Sequence, residues 1–261
     1  MLGKKQRSQQ SDWIETLTKI DKIISREAFE QRVEETLEDM RRVIGSQHVA
    51  FGWSGGKDSQ VLRFLMERLG QTECVLVICN LEYPAFLRWA TDHMPDDLTI
   101  INTDQDLPWL IAHPDWLFPQ TAAQAARWFA AVQHRGQIRY FRQAHLDMLI
   151  LGRRLADGNV CGSNSSWITQ TRQGIIRYHP LATWTHEEIL AAIYYEHLAL
   201  PPNYQWPRGF QVGTGPWPAR QWITSELEGW KEVYYIDPDI IRTTAKIWPR
   251  VATVLHQIER E

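Results

Sequence analysis

The stretch Phe51-Gly52-Trp53-Ser54-Gly55-Gly56-Lys57-Asp58-Ser59 constrains the fold more than any other part of the chain. An apolar run from His48 to Trp53 enters it, and Val61, Leu62, Leu65, Met66 and Leu69 recur at helical spacing after it. That pattern predicts a buried strand, a tight turn and a helix over 58–69, stopped by Gly70. Adjacent glycines permit close backbone approach. The helix start offers unpaired N–H groups and a positive dipole end. With the Ser54 and Ser59 hydroxyls and the Lys57 charge, the turn reads as a phosphate cradle. It is not a Walker A loop, because Gly52 stands too close to Gly56 and Asp58 follows Lys57.

The flanking chain repeats the alternation. Ser25 caps a predicted helix carrying Phe29, Val33, Leu37, Met40 and Ile44. Cys74 to Cys79 is a continuous apolar run, suited to a strand covered on both faces of a parallel sheet. A helix over 84–93 leads to a strand at 98–101; a fourth strand, 148–151, ends at Gly152-Arg153-Arg154, and Ile175 to His179 is a candidate fifth. Two helices, 122–131 and 138–147, meet near Gly136, and the polar segment 158–173 reads as a mobile loop. The order predicts an α/β fold with an open, mostly parallel twisted sheet and helices on both faces. Ligands of such sheets sit beyond the carboxyl ends of the strands, where Ser54–Ser59 and Asn80-Leu81-Glu82 fall. Thr185 and Glu188 form a capping box for a helix to about His197. From Leu200 to Arg220 five prolines and three glycines predict a long structured loop of the lid kind, and a last helix ends near Ile258.

The string Ser54 to Ser59 resembles the PP-loop of the ATP pyrophosphatase (adenine nucleotide alpha hydrolase-like) superfamily, a HUP-like fold. Gly152-Arg153-Arg154 resembles the Gly-x-Arg motif after the fourth strand in its phosphoadenosine phosphosulfate (PAPS) reductase and sulfate adenylyltransferase small-subunit branch. Pro180-Leu181-Ala182-Thr183-Trp184-Thr185 resembles that branch's Pro-Leu-x-x-Trp-Thr turn, and Gly209 to Gly213 loosely resembles a glycine-bearing segment that follows. The resemblance covers residues 48 to about 200. It implies that Ser54, Gly55, Gly56, Lys57, Asp58 and Ser59 hold the β- and γ-phosphates of ATP, and that Trp53, Asn80, Leu81 and Glu82 line the adenosine site. It also implies that Gly152 and Arg154 meet a phosphate or the anion of a second substrate, with Lys57 and Arg154 as the catalytic pair. Mg²⁺ is the expected metal, with Asp58 as its candidate ligand; an acid that merely stabilises the helix start is the equal alternative. Arg153 is the alternative working arginine. The implied layout is a leader over 1–24, in which 2–10 is disordered, a nucleotide-binding domain over 25–200, and a lid and helical extension of that domain over 201–261.

The chain departs from the reductases in lacking any cysteine after Cys161. Reduction by its own C-terminal thiol is therefore disfavoured. Cys74 and Cys79 read as core residues. Cys161, in a polar loop, is a weak candidate thiol. What survives is chemistry at the α-phosphate: adenylylation of an acceptor with release of pyrophosphate, the acceptor being a small anion, an amide or a modified base. A sulfonucleotide enzyme that borrows a partner's thiol is a second reading. A non-catalytic nucleotide-binding module in a nucleic-acid complex is a third, prompted by eight arginines against two acids between Thr121 and Pro180. The 261 residues, 44% of them hydrophobic, suffice for a real core. No apolar run approaches the ~20 residues of a membrane span. The three unpaired-looking cysteines suggest a cytoplasmic setting, and the branch resemblance points to sulfur metabolism with a homo-oligomer or a partner subunit.

Overall fold

The computed structural model describes residues 2–3, 7–162, 166–221 and 223–261. It contains one six-stranded sheet in the order β3-β2-β1-β4-β6-β5. The strands are β1 (Val49–Gly52), β2 (Cys74–Ile78), β3 (Leu98–Asn102), β4 (Met148–Ile150), β5 (Ile168–Gln170) and β6 (Ile176–Tyr178). β1 runs parallel to β2, with Phe51 opposite Cys74, and to β4, with Ala50 opposite Leu149. β6 is parallel to β4, and β5 is antiparallel to β6. The expected α/β class with a mostly parallel sheet is thus the observed one.

The chain divides into two compact units. The first comprises Met1–Leu76, Trp89–Ile101 and Gln137–Thr214. Its core joins the strand residues Ala50, Phe51, Leu149 and Ile150 to Val61, Leu62, Leu65 and Met66 of α3 (Lys57–Arg68), all buried. Helix α2 (Arg26–Ile44) buries Phe29, Val33, Leu37 and Met40 on one face, and the Ser25 side chain caps it by accepting from the Ala28 N–H. Each such large apolar side chain contributes roughly 1.5–3 kcal/mol when fully buried. Helix α8 (His186–Tyr195) begins with the expected capping box, in which Thr185 and Glu188 exchange side-chain to backbone bonds.

The second unit comprises Val77–Arg88, Asn102–Gly136 and Gly215–Glu261. It holds three successive helices, α10 (Glu226–Ile236), α11 (Pro238–Ile247) and α12 (Pro249–Ile258), and an edge-to-face cluster of Trp109, Trp116 and Trp128. The Phe118 ring meets Trp230 edge-on, and a buried Arg220 pairs with Glu232.

Three local expectations fail for identifiable reasons. The segment 2–10 was expected to be disordered; its residues 4–6 lie outside the described residues, but Ser8 is buried, its carbonyl accepts from the Gln211 side chain, and the Gln10 side chain donates to the Tyr204 carbonyl. Helix α1 (Gln10–Thr18) follows and buries Trp13 completely. Within the polar segment 158–173, where 163–165 lie outside the described residues, Ile168–Gln170 is a strand, held by its ladder to β6 rather than by apolar content. Gly136 does not separate two helices: α6 (Ala122–Phe129), a π-helical turn at Ala130–His134 and α7 (Arg135–Gln143) follow without a break. A Cβ at position 136 would come within 2.3 Å of Val77 Cγ1, so the glycine is there for space.

Candidate functional site

The strand order fixes where a site can form. From β1 the chain steps outward to β2 and β3, then returns to place β4 on the other side of β1. β1 and β4 therefore flank the topological switch point, beyond whose carboxyl ends a crevice opens in such sheets. Ser54–Ser59 follows β1, and Gly152–Arg154 follows β4. The structure brings these two segments into contact. A Cβ on Gly152 would lie 3.0 Å from the Asp58 carbonyl oxygen, so glycine is what permits the approach.

Within the loop, Gly55 adopts φ +66°, a left-handed conformation that favours glycine. Gly56 is the N-cap of α3 and supplies no side-chain cap. The Ser54 and Ser59 hydroxyls lie 3.2 Å apart, Ser59 Oγ accepts from the Ser54 N–H at 3.1 Å, and it donates to the Gly56 carbonyl at 2.8 Å. The first N–H of α3, on Lys57, donates to the Tyr204 hydroxyl at 2.7 Å. Tyr204 is buried, which pushes its phenol pKa upward, so the group stays a neutral hydroxyl. A Cβ on Gly56 would meet both Tyr204 Oη and Thr214 Oγ1 within 3.4 Å. Residues 204–214, the lid segment of this unit, thus lie against the loop.

The charged groups form a chain. Lys57 is fully buried, and its Nζ bonds both carboxylate oxygens of Asp58 at 2.8 Å. Its ammonium also lies 5.6 Å from the centre of the Trp13 ring. Asp58 Oδ1 accepts from Arg154 Nε at 2.8 Å. Arg154, also fully buried, pairs through Nη2 with Asp157 at 2.9 Å, donates to the Trp184 carbonyl and meets His186 Nδ1 at 3.1 Å. Formally these are two cations and two carboxylates. Burial, and then the Arg154 and Lys57 charges, push the His186 pKa down, so its ring is neutral.

This geometry shows how the expected site residues are held. Arg154 does not project toward a ligand; its guanidinium is enclosed by protein groups, because Asp58 and Asp157 hold it on both sides. Arg153, half-buried, is the more open of the two arginines. Trp53 is 1% exposed and its indole N–H donates to Gln60 at 2.7 Å, so it packs beneath the loop rather than lining a cavity. The Asp58 oxygens bond Lys57 and Arg154, so a Mg²⁺ ligand role there would share the carboxylate with both cations.

Asn80, Leu81 and Glu82 belong to the second unit. There the Asn80 N–H donates to the Gln105 carbonyl, and the Leu81 carbonyl accepts from the Trp217 N–H. Glu82 is 7% exposed, its Oε2 has no hydrogen-bond partner, and burial raises its pKa to about 8. All three cysteines are free and buried; burial raises the Cys161 thiol pKa, which disfavours its thiolate. Sequence reasoning missed Tyr204 as a member of the loop's surroundings and did not pair Asp157 with Arg154. Tyr204 had no signal beyond its place in the Pro/Gly-rich segment; Asp157 stood three residues from Arg154, the spacing of an ion pair on a helical turn.

No protein-family model matches the sequence, and no curated protein matches it. Solved structures do match in fold. The crystal structure of phosphoadenylyl-sulfate (PAPS) reductase from Candida auris, a phosphate complex, aligns at TM-score 0.51 and 15% identity, covering 74% of this chain and 96% of that one. The NMN synthetase of Francisella tularensis aligns at TM-score 0.45 and 14% identity, over 88% of this chain and 93% of that one. The U34-tRNA thiolase NcsA of Methanococcus maripaludis aligns at TM-score 0.42 and 18% identity, over 88% and 80%. At these identities the likeness is one of fold.

Proposed function

We propose that the Ser54–Ser59 loop binds the phosphate chain of ATP or of an adenylyl sulfonucleotide, and that the protein acts at the α-phosphate, adenylylating an acceptor and releasing pyrophosphate. The observation that carries this reading is the bond from the Lys57 N–H to the Tyr204 hydroxyl. An uncapped helix start at the sheet's switch point has already recruited an oxygen acceptor. A phosphate oxygen is a stronger acceptor for the same N–H, favoured further by the helix dipole. The fold likeness to a PAPS reductase solved as a phosphate complex supports an anionic ligand.

On this reading Gly56 and Lys57 present backbone N–H groups to the phosphates, and the Ser54 and Ser59 hydroxyls add donors. Lys57 contributes its charge from within the first turn while bonded to Asp58. Arg154 is a positioning residue that fixes Asp58. In-line displacement at a phosphoryl group asks mainly for orientation and charge stabilisation. No step is assigned to a metal held by Asp58. With every cysteine free and buried, no thiol of this chain serves as nucleophile, and a reducing, cytoplasmic setting suits the chain.

The test is ATP titration calorimetry together with pyrophosphate release. The wild-type chain should bind ATP, and Ser54→Ala/Ser59→Ala should weaken that binding at least tenfold while leaving the unfolding midpoint close to wild type. An ATP affinity unchanged by the double substitution would remove the loop from the reading.

A further inference from the structure

The charge chain of the loop accounts for Arg154 but leaves a second buried arginine unexplained. Arg177 lies on β6 and is 4% exposed. Its Nε and Nη2 atoms are buried and make no hydrogen bond. Those two nitrogens form one edge of the guanidinium, with their N–H bonds nearly parallel, the arrangement that takes two oxygens of one anion.

The surroundings are basic. Residues two apart on a strand share a face, so Arg177 and His179 point to the same side of the sheet. Thr169 of β5, directly opposite Arg177, points there too, and its hydroxyl lies 3.0 Å from His179 Nε2. The charged group that acts on Arg177 is another cation, Arg153; burial first and then Arg153 lower the Arg177 pKa to about 10. Burial likewise lowers Arg153. His179, fully buried, is lowered to about 4 by burial and by both arginines, so at neutral pH it adds no charge. Arg153 therefore bears on Arg177 as a second positive charge, while the unpartnered buried edge is that of Arg177. Buried charges are normally paired, and an uncompensated one destabilises its surroundings.

We propose that Arg177, with Arg153 and His179 beside it, binds a tetrahedral oxyanion, a phosphate or sulfate group, at a site distinct from the Ser54–Ser59 loop. The unpartnered Nε–Nη2 edge matches two of the anion's oxygens. As the seat of an anionic acceptor the site rests on the adenylyl-transfer reading; as an anion site it does not.

The experiment measures thermal unfolding and titration calorimetry with inorganic phosphate and with inorganic sulfate, against chloride at equal ionic strength. It uses wild type, Arg177→Met, Arg177→Lys and Ser54→Ala/Ser59→Ala, each with and without ATP. Wild type should be stabilised by phosphate or sulfate over chloride. Arg177→Met should weaken that binding at least tenfold and keep ATP affinity. Arg177→Lys, which keeps the charge but loses the paired donors, should fall between. Without oxyanion, Arg177→Met should melt no lower than wild type, because it removes an unpaired buried cation. The loop variant should retain the oxyanion effect even if it loses ATP, which separates failure of this proposal from failure of the functional reading. Additive binding of phosphate and ATP assigns the site to a separate anion. Competition that Arg177→Met abolishes assigns it to a phosphate of the nucleotide. Absence of any preference over chloride in wild type, or an equal preference in Arg177→Met, overturns the proposal.

Discussion

Replacing Arg154 with methionine separates a buried clasp from a ligand contact. The substitution keeps length and removes the charge. It deletes the 2.8 Å bond to Asp58, the 2.9 Å pair with Asp157 and the bond to the Trp184 carbonyl. Asp58 and Asp157, with side chains 22% and 11% exposed, would then lose the cation that joins them. Removing one member of a buried pair in this way costs about 3–5 kcal/mol. For a chain of this size each kcal/mol moves the midpoint by roughly 2–4 °C, so the expected fall is about 10 °C. The assay is urea and thermal unfolding without nucleotide at pH 7. NMR titration should also show the His186 pKa rising, because a neighbouring cation that depresses it is gone. A variant within about 0.5 kcal/mol of wild type, but with ATP affinity lost, would refute the clasp and restore Arg154 as a phosphate contact; such small changes are typical of surface substitutions.

Two further outcomes follow from the same structure. Tyr204→Phe removes the acceptor of the Lys57 N–H; in the nucleotide-free protein it should cost about 1–3 kcal/mol, while ATP affinity measured by calorimetry should hold or improve, since phosphate no longer competes with the phenol. Glu82 has its pKa raised by burial from 4.5 to about 8. The folded protein therefore holds a proton there that the unfolded chain has released, and this contribution to stability is full below about pH 4.5 and lost as pH rises to about 8. The slope is at most ~1.4 kcal/mol per pH unit, and urea unfolding of Glu82→Gln across that window should show it flattened.

Much of the first unit was legible because its signals are local. The run Cys74 to Cys79 marks a covered strand, and the Thr185/Glu188 box marks a helix start, each readable within a few residues. The glycines and serines of 54–59 announced a turn into a helix before any partner was known. The charge chain was not legible, since Asp58, Arg154, Trp184 and His186 meet only after β1 and β4 have paired. β5 was hidden for a similar reason: Ile168-Thr169-Gln170 has little apolar content, and its ladder to β6 is what makes it a strand. The closure of the Arg154 guanidinium was not legible either, because motif spacing does not say which carboxylates face it.

The pairing of Lys57 with Asp58 and of Arg154 with Asp157 has a consequence for how the sequence can drift. Each pair is formally neutral, so the four residues behave as two heritable units rather than four independent positions. Any single loss strands a charge inside the protein, and a lineage taking that step crosses a valley of low stability. Losing Arg154 and Asp157 together leaves the other pair intact, and the double substitution should cost less than the sum of the singles. Routes by which this loop can be remodelled therefore run through coupled changes within a pair, made close together, at neighbouring positions of the chain.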